Sequence, residues 1–432
     1  MNFLEQLEHN LGPGPFHEAA GDDVRVDGAL PVSLYAFFLP QFHAIPENDA
    51  WWGKGFTEWT NVTKALPRFR GHYQPHLPAD LGFYDLRVAD TLRAQAELAK
   101  RYGVAGFCFY YYWFGGKRLL DQPIKALLAA PDIDLPFFVS WANENWTRRW
   151  DGLEKQLLLE QRYSAEDDIA LADAFLELTR DRRYVRIDGR PLLMLYQPRL
   201  LPDAGATTRR WRDRFLSRGE ADPYILTVHR EGEPPATTNG MDGSFEFPPA
   251  GFGSQERRRE HLHRLFDLEF RGTLFSYDEL VESMQATPNA PHPVFKGVCP
   301  GWDNEARRTK AGCVYQGSTP RKYGAWLARA CQTTIATQPA DRRMLFVNAW
   351  NEWAEGAHLE PDRHYGHAYL RETARALTAA RQSETLAAFI ADRSADLARS
   401  TPPAWTARME RVRRFVERAQ RKARRMAPQL GI

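Results

Sequence analysis

The sequence predicts an α/β fold, a (β/α)8 TIM-like barrel with a short N-terminal arm and a C-terminal helical extension. Two observations lead to this prediction. Short β-prone runs of mostly apolar residues recur along the chain, as strands buried on both faces of a parallel sheet do. Segments with helical periodicity separate several of these runs, which is typical of barrels. The eight runs are residues 32–39, 104–113, 135–141, 191–197, 224–229, 243–247, 293–299 and 343–350.

The segments between the runs carry helix-boundary signals as well as helical periodicity. Residues 86–103 place apolar side chains at helical spacing and end at a glycine, a common helix stop. Residues 164–181 open with a serine followed by acidic residues, which suits a helix N-terminus. Residues 318–336 and 365–380 have a similar pattern. An open doubly wound sheet is the alternative, but no GxGxxG motif follows a strand run, which disfavours a Rossmann fold.

The chain is predicted to have three parts. Residues 1–30 are polar and contain Gly and Pro, so we expect an arm; residues 31–380 form the barrel; residues 381–432 form a basic helical extension. From Trp405 to Ile432 the chain has nine basic and two acidic residues, with apolar residues at helical steps. Such a helix suits peripheral contact with an anionic membrane or a partner. A helix packed on the barrel with a solvated basic face is the alternative.

Composition and targeting signals predict a cytoplasmic protein, with contact at the inner membrane only through the basic extension. The formal net charge is +2, from 57 basic and 55 acidic residues, so we expect no nucleic-acid partner. The first residues do not resemble a signal peptide, and no apolar run is long enough to span a membrane. The four cysteines lie far apart without a CxxC motif, as free thiols of a reducing compartment do.

The strongest catalytic signal is the stretch NAWNEWAEGAHLEPD, residues 348–362, which follows the eighth run. In a barrel, the loops after the strands carry the chemistry. Glu352 and Glu355 are three positions apart and would share one face of a helical turn. Close carboxyl groups push their pKa values apart, so that one is protonated while the other is ionised, as acetal hydrolysis requires. We therefore predict Glu352 and Glu355 as catalytic residues; a solvated acidic turn is the alternative.

Aromatic and hydrogen-bonding residues also collect after other runs, a mixture that suits stacking on sugar rings and binding of hydroxyl groups. On the second run, Tyr110 and Tyr112 face one way and Tyr111 the other, so only one set can reach a ligand. Ordinary packing and turn formation are the alternative for each residue. The predicted substrate-binding residues are Glu58, Trp59, Tyr110, Tyr112, Trp141, Asn143, Glu144, Asn145, Trp302, Asp303, Asn351, Trp353 and Glu360.

We expect neither a metal nor a cofactor. His358 and Glu360 lie near the acidic pair, but their spacing is not that of HExxH or of another metal motif. The sequence also contains no Gly-rich phosphate loop and no GxSxG motif.

Three long motifs resemble the WbsX-type proteins, a family named for glycosyl transfer in bacterial surface-polysaccharide clusters and described as glycoside hydrolase family 99-like. The motifs are FFLPQFHAIPENDAWWGKGFTEWTNV (37–62), FVSWANENWTRRWDG (138–152) and NAWNEWAEGAHLEPD (348–362). The resemblance covers about residues 31–375. Glycoside hydrolase family 99 proper, made of endo-acting α-mannosidases and mannanases with a (β/α)8 barrel, is a more distant relative.

This resemblance implies a mechanism for the acidic pair. In family 99, one glutamate assists attack of the sugar's own 2-hydroxyl on the anomeric carbon, which gives a 1,2-anhydro sugar. A second glutamate three residues later acts as acid and then as base. By motif, Glu352 corresponds to the base and Glu355 to the acid/base. Ordinary retaining enzymes differ, because their second carboxylate is itself the nucleophile.

The sequence therefore predicts a carbohydrate-active enzyme of bacterial surface-polysaccharide metabolism. We expect a retaining endo-acting glycoside hydrolase with an oligo- or polysaccharide substrate. One alternative is a glycosyltransferase of lipopolysaccharide, O-antigen or capsule biosynthesis, favoured by the family name and the missing signal peptide. A non-catalytic glycan-binding barrel is the other alternative, although binding alone does not require two closely spaced acids.

Overall fold

The computed structural model describes residues 2–148, 153–230, 232–250, 265–285 and 290–398. At its centre is a parallel β-barrel whose strands coincide with the eight runs of the sequence. The strands are β1 (Ser33–Phe38), β2 (Val104–Phe114), β3 (Phe137–Trp141), β4 (Arg190–Leu195), β5 (Tyr224–Val228), β6 (Gly243–Phe245), β7 (Val294–Phe295 and Gly297–Val298) and β8 (Met344–Val347).

The barrel is closed through the two segments of β7. From β1 to β6 each strand pairs in parallel with the next, and β8 pairs with β1. The first segment of β7 pairs with β6, whereas the second pairs with β8. The predicted (β/α)8 barrel is therefore confirmed, and the alternative of an open sheet is not needed.

A buried ion pair lies where β7 joins its two neighbours. Lys296, between the two segments of β7, donates to Glu246 Oε1 at 2.5 Å and to the Met284 carbonyl at 2.8 Å. The second carboxylate oxygen of Glu246 accepts the amide of Gly297 at 3.1 Å. A Cβ on Gly297 would lie only 2.1 Å from the carbonyl oxygen of Glu246. The backbones of β6 and β7 therefore approach so closely that residue 297 must lack a side chain.

Aromatic rings fill the barrel interior. Phe37 packs against Phe245 at 5.6 Å and against Phe247 at 4.7 Å between ring centroids. Phe245 in turn contacts Phe346 at 5.5 Å. Large rings from facing strands pack favourably at such distances, so the described interior of the barrel is a packed core. Any site must consequently lie at the ends of the strands.

Helices surround the barrel and confirm the four helical segments that the sequence predicts, with ends that differ by a few residues. Ser164 Oγ accepts the amide of Asp167 at 3.1 Å, which is the expected helix cap. The helices are α1 (Phe3–Leu11), α2 (Pro46–Trp52), α3 (Glu58–Lys64), α4 (Ala89–Arg101), α5 (Gln122–Ala129), α6 (Ala165–Thr179), α7 (Ala204–Ser217), α8 (Tyr277–Gln285), α9 (Pro320–Thr337), α10 (Ala368–Ala379) and α11 (Ser383–Ala398).

Short strands extend several of the barrel loops. Residues Trp302–Asp303, Thr273–Ser276 and Cys313–Gln316 form a small sheet, and Asn351–Glu352 pairs with Ala357–His358 in a hairpin. The remaining short strands are Lys117–Leu119, Trp146–Arg148, Leu153–Leu159 and Arg186–Ile187. These additions give the loops after β7 and β8 a fixed geometry.

The arm predicted for residues 1–30 begins with α1 and packs on the barrel. Asn10 Nδ2 donates to the carbonyls of His72 and Gln74, both at 2.8 Å. In the predicted C-terminal extension, α11 contacts α9. The basic segment from Trp405 lies outside the described residues, so its amphipathic helix stays a prediction. Among the residues that the structure describes, no helix is both long enough and apolar enough to cross a bilayer.

The contact between β6 and β7 predicts a large loss of stability for Gly297→Ala. The added methyl group overlaps a backbone oxygen that cannot move away alone, and such overpacking costs about 1–3 kcal/mol. Chemical denaturation measures the free energy of unfolding. Gly12→Ala is the matched control, because a Cβ at Gly12 meets nothing within 4 Å. Equal effects of the two substitutions would contradict the close approach of the strands.

Candidate active site

A cavity of about 690 Å³ opens at the carboxyl ends of the barrel strands. Glu352 and Glu355 line it from the loop after β8, and Tyr110 and Tyr112 line it from β2. Its other walls carry four indole rings and further polar groups. They include Trp51, Trp52, Glu144, Asn145, Trp146, Tyr196, Trp302, Asn304, Arg308 and Tyr315.

The hairpin after β8 fixes the position of the two glutamates. Asn351 Oδ1 accepts the amide of Leu39 at 2.7 Å, and its Nδ2 donates to the Leu39 carbonyl at 3.0 Å, which ties the hairpin to the end of β1. The chain then makes a 3-10 turn over Trp353–Glu355 and reverses at Gly356 with φ of +58°. A Cβ there would lie 3.1 Å from the Cβ of Asp303. Glycine therefore satisfies both the left-handed backbone and the close packing.

Arg307 holds three carboxylates at one side of this cavity. Its Nε donates to Glu58 Oε1 at 2.6 Å, its Nη2 to Glu352 Oε2 at 2.7 Å and its Nη1 to Glu355 Oε1 at 2.5 Å. Glu58 is the first residue of α3, whereas Arg307 follows the short strand Trp302–Asp303. Three separate loops thus meet at one guanidinium group, whose planar set of donors suits several carboxylates at once.

The cluster is buried, and its charges do not balance. Side-chain exposure is 0% for Glu58, 5% for Glu352, 18% for Glu355 and 11% for Arg307. Burial, reinforced by the neighbouring Glu355 and Glu58 and opposed by Arg307, raises the pKa of Glu352 to about 8. Glu352 is therefore protonated at neutral pH. A carboxyl group that stays neutral beside other carboxyl groups is a common feature of general acid–base sites.

The two cavity tyrosines are hydrogen-bond donors at neutral pH. Burial, together with the charges of Glu352 and Glu355, raises the pKa of Tyr110 well above its ordinary value. The pKa of Tyr112 is raised in the same way, mainly by burial. Tyr111 points to the other side of β2 and packs on Phe175, with ring centroids 5.4 Å apart. The alternation expected from the sequence therefore agrees with the structure.

Seven of the predicted site residues line the cavity, and one more reaches it indirectly. The lining residues are Tyr110, Tyr112, Glu144, Asn145, Trp302, Glu352 and Glu355. Glu58 is fully buried and meets the cavity through its contact with Arg307. Residues from five separate loops and strands, spread over nearly 300 positions of the chain, are thus brought together.

The other seven predicted residues are buried behind the cavity wall, where each has protein partners. Asn143 exchanges two 2.8 Å hydrogen bonds with the backbone of Gln197. Trp141 packs against Trp211 at 5.8 Å, on the helix side of β3. Asp303 accepts from His72 at 2.7 Å and faces a second, smaller cavity. With Asn351, these residues position the loops around the site.

Trp59, Trp353 and Glu360 form a buried network beneath the hairpin. Glu360 Oε2 accepts from Trp353 Nε1 and from the Tyr84 hydroxyl, both at 2.7 Å, and its Oε1 accepts from Gln95 at 2.6 Å. The ring of Trp59 packs on that of Trp353, with centroids 5.6 Å apart. Burial raises the pKa of Glu360 to about 7. The network supports the segment that carries Glu352 and Glu355.

Sequence reasoning missed Arg307 and the indoles of Trp51, Trp52 and Trp146. Arg307 lies in the polar loop PGWDNEARR (300–308), but its partners are 45, 48 and 249 positions away, so spacing could not reveal the contacts. The sequence did contain one indication of the indoles, namely the abundance of Trp in the loops after β1 and β3.

Comparison with known proteins finds sequence relatives over most of the chain. Residues 34–373 match the family model described as Glycosyltransferase WbsX. Two curated relatives, both called Uncharacterized protein WxcX, come from two strains of Xanthomonas campestris pv. campestris. Each is 48% identical over 351 residues, which are 81% of this chain and 50% of the relative. The chain thus spans about half the length of these relatives.

Solved structures with a similar fold are much more distant in sequence. A structure described as a glycoside hydrolase-like protein has a TM-score of 0.50 at 13% identity, covering 85% of this chain and 99% of its own. The GH99 endo-alpha-mannosidase from Bacteroides thetaiotaomicron has a TM-score of 0.49 at 17% identity, covering 82% and 98%.

Removal of the guanidinium group should destabilise the protein strongly. In Arg307→Met, three buried carboxylates lose the cation that they share, and breaking such a buried pair costs about 3–5 kcal/mol. Denaturant titration at neutral pH measures the loss. Arg87→Met is the control, because its exposed pair with Asp85 should contribute about 0–1 kcal/mol. A loss no larger than in the control would show that Arg307 does not hold the site together.

The raised pKa of Glu352 predicts a specific pH dependence of stability. A carboxyl group whose pKa rises from 4.5 to about 8 on folding contributes fully below about pH 4.5. That contribution is lost as pH rises towards 8, because the unfolded chain then ionises more readily. Glu352→Gln keeps a neutral side chain, so wild type should lose stability relative to this variant across that window. A pH-independent difference in the free energy of unfolding would contradict the assignment.

Proposed function

Because the chain belongs to the family described as glycosyltransferase WbsX, we propose that it is an enzyme of bacterial surface-polysaccharide metabolism that acts on glycosidic bonds. The observation that carries this proposal is the pair Glu352 and Glu355, which line one cavity and share Arg307. Two carboxyl groups with different protonation are what cleavage of an acetal requires. Glycan binding alone would not need such a costly buried arrangement.

We propose a retaining, endo-acting hydrolase as the specific activity. By the family resemblance, Glu352 takes the proton of the substrate's 2-hydroxyl, which attacks the anomeric carbon and expels the leaving group that Glu355 protonates. Glu355 then takes a proton from water, which attacks the anomeric carbon and opens the 1,2-anhydro sugar, while Glu352 returns the proton to the 2-oxygen; the configuration is thus retained. In this order the proton of Glu352 must pass to Glu355 when substrate binds, which leaves Glu352 as base and Glu355 as acid, and Arg307 stabilises the ionised carboxylate of Glu352.

The shape and lining of the cavity support a carbohydrate substrate. A volume of about 690 Å³ is large enough for more than one sugar ring. Trp146 lies between Trp51 and Tyr112, with ring centroids 5.8 Å and 5.1 Å away, and forms an aromatic wall. The hydroxyl of Tyr110 and the polar groups of Glu144 and Asn145 supply hydrogen bonds within the same space.

Glycosyl transfer is the second candidate, and the description of the family favours it. A transferase could use the same carboxylates to activate an acceptor hydroxyl instead of water. The region that matches this chain covers 50% of each curated relative, so those proteins contain as much sequence again beyond it. Only the products of the reaction distinguish the two activities.

Replacing the proposed acid/base should abolish turnover while glycan binding remains. Purified protein is incubated with the host's surface glycan and its lipid-linked precursor, with and without sugar nucleotides, and products are measured by mass spectrometry. We expect shortened glycan without any nucleotide, and a loss of about 10²–10⁴-fold in Glu355→Gln. Calorimetry should show nearly unchanged glycan binding, and the exposed Glu97→Gln should behave as wild type.

Other results of this assay would redirect the proposal. Extension of the glycan that depends on a sugar nucleotide would make the protein a transferase with a hydrolase-like barrel. Full activity in Glu355→Gln would contradict the acid/base role. Tight glycan binding without any product, unchanged in both Glu352→Gln and Glu355→Gln, would indicate a non-catalytic binding barrel.

A further inference from the structure

We propose that His76, His358 and Asp362 form a binding site for a divalent transition-metal ion, with Zn²⁺ as the best match. The site is separate from the glutamate cavity and independent of the proposed function. It departs from the expectation that the chain binds no metal. The two histidines are 282 positions apart, so no sequence motif could reveal the site.

Three ligand atoms converge in this cluster. Nδ1 of His76 lies 2.9 Å from Nε2 of His358, which lies 3.7 Å from Oδ2 of Asp362. All three atoms are within 4.8 Å of one another. At Zn–N distances of about 2.0–2.1 Å, tetrahedral ligands are roughly 3.3 Å apart, so the imidazoles would separate by about 0.5 Å while the carboxylate oxygen moves closer. Two imidazole nitrogens with one carboxylate are a common ligand set for Zn²⁺.

The His358 ring is held in the orientation that a ligand needs. Its Nδ1 lies 3.0 Å from the carbonyl oxygen of Glu360, to which it donates, so Nε2 has the free lone pair. The indole of Trp353 stacks on the imidazole, with centroids 3.8 Å apart and planes 15° apart. A backbone carbonyl on the second ring nitrogen is the usual partner of a metal-binding histidine.

Asp362 is likewise fixed by its surroundings. Its Oδ1 accepts the amide of Tyr365 at 2.5 Å, which leaves Oδ2 on the side of His358. The exposed fractions are 8% for His76, 5% for His358 and 2% for Asp362. Side chains this buried keep their arrangement without competition from bulk water.

A cavity of about 120 Å³ adjoins the cluster and is lined by all three residues. It offers room for a water molecule as the fourth ligand, as zinc sites with three protein ligands commonly have. Trp302 and Tyr315 line both this cavity and the glutamate cavity. The cluster therefore lies close to the candidate active site without sharing its carboxylates.

A simpler interpretation is a hydrogen bond between two neutral imidazoles. That bond accounts for the 2.9 Å distance between His76 and His358. It does not account for the carboxylate oxygen of Asp362 on the same side, nor for the adjoining cavity. Metal binding accounts for all of these features. His358 also pairs directly with Asn351, so the cluster and the candidate active site share the hairpin that carries Glu352.

Metal content of the intact chain tests the proposal. The protein is stripped with a chelator, dialysed against Zn²⁺ and then against metal-free buffer, and analysed by plasma mass spectrometry. We expect one bound Zn²⁺ per chain in wild type. In His358→Gln and His76→Gln the affinity for Zn²⁺ should fall by at least about 100-fold, which is more than the loss of a ligand's hydrogen-bond partner usually causes. His364→Gln is the matched control, since His364 is a buried histidine outside the cluster.

Substitution by Co²⁺ gives a spectroscopic readout that wild type alone can already provide. Tetrahedral Co²⁺ with nitrogen and oxygen ligands absorbs strongly in the visible range, unlike ions bound loosely at exposed histidines. That spectrum in wild type, and its loss in His76→Gln with circular dichroism unchanged, would support the site. Folded wild type without stoichiometric metal, or equal binding in wild type and both cluster variants, would overturn it.

Discussion

The burial of three carboxylates around one guanidinium is the constraint on which the site depends. Glu58 is far in the sequence from Glu352 and Glu355, and the three carboxylates would repel one another without Arg307. Because the charges do not balance, one carboxyl group must stay protonated, and Glu352 has the environment that favours it. The same contacts that join the loops therefore also influence which carboxyl group holds the proton. Structure and reactivity cannot be altered separately at this point.

The fold could be predicted from the sequence because its signals are local. Each barrel strand is an apolar run buried on both faces, and the period of the helices is visible within a single segment. The closure through β7 could not be predicted, because the role of Lys296 depends on Glu246 in the neighbouring strand. Long-range charge pairs leave no periodic pattern in the chain.

The candidate site was predictable in part, for a related physical reason. Glu352 and Glu355 lie together in the sequence, and Tyr110 and Tyr112 share a strand face, so their spacing identified them as candidate site residues. Trp353, only one position from Glu352, turns inward to Glu360, and local spacing does not reveal that orientation. Asparagines and tryptophans serve packing as well as binding, and only the three-dimensional contacts separate the two uses.

The order of strands in the barrel has a consequence for synthesis of the protein. Because β1 pairs with β8, its edge stays without a final partner until more than 300 further residues have been made. At about 5–20 residues per second, that wait is roughly 15–60 s during translation. Throughout it, the nascent chain presents an open, apolar strand edge to its surroundings. The ribosome-bound chain is thus the form most exposed to aggregation and most dependent on chaperones.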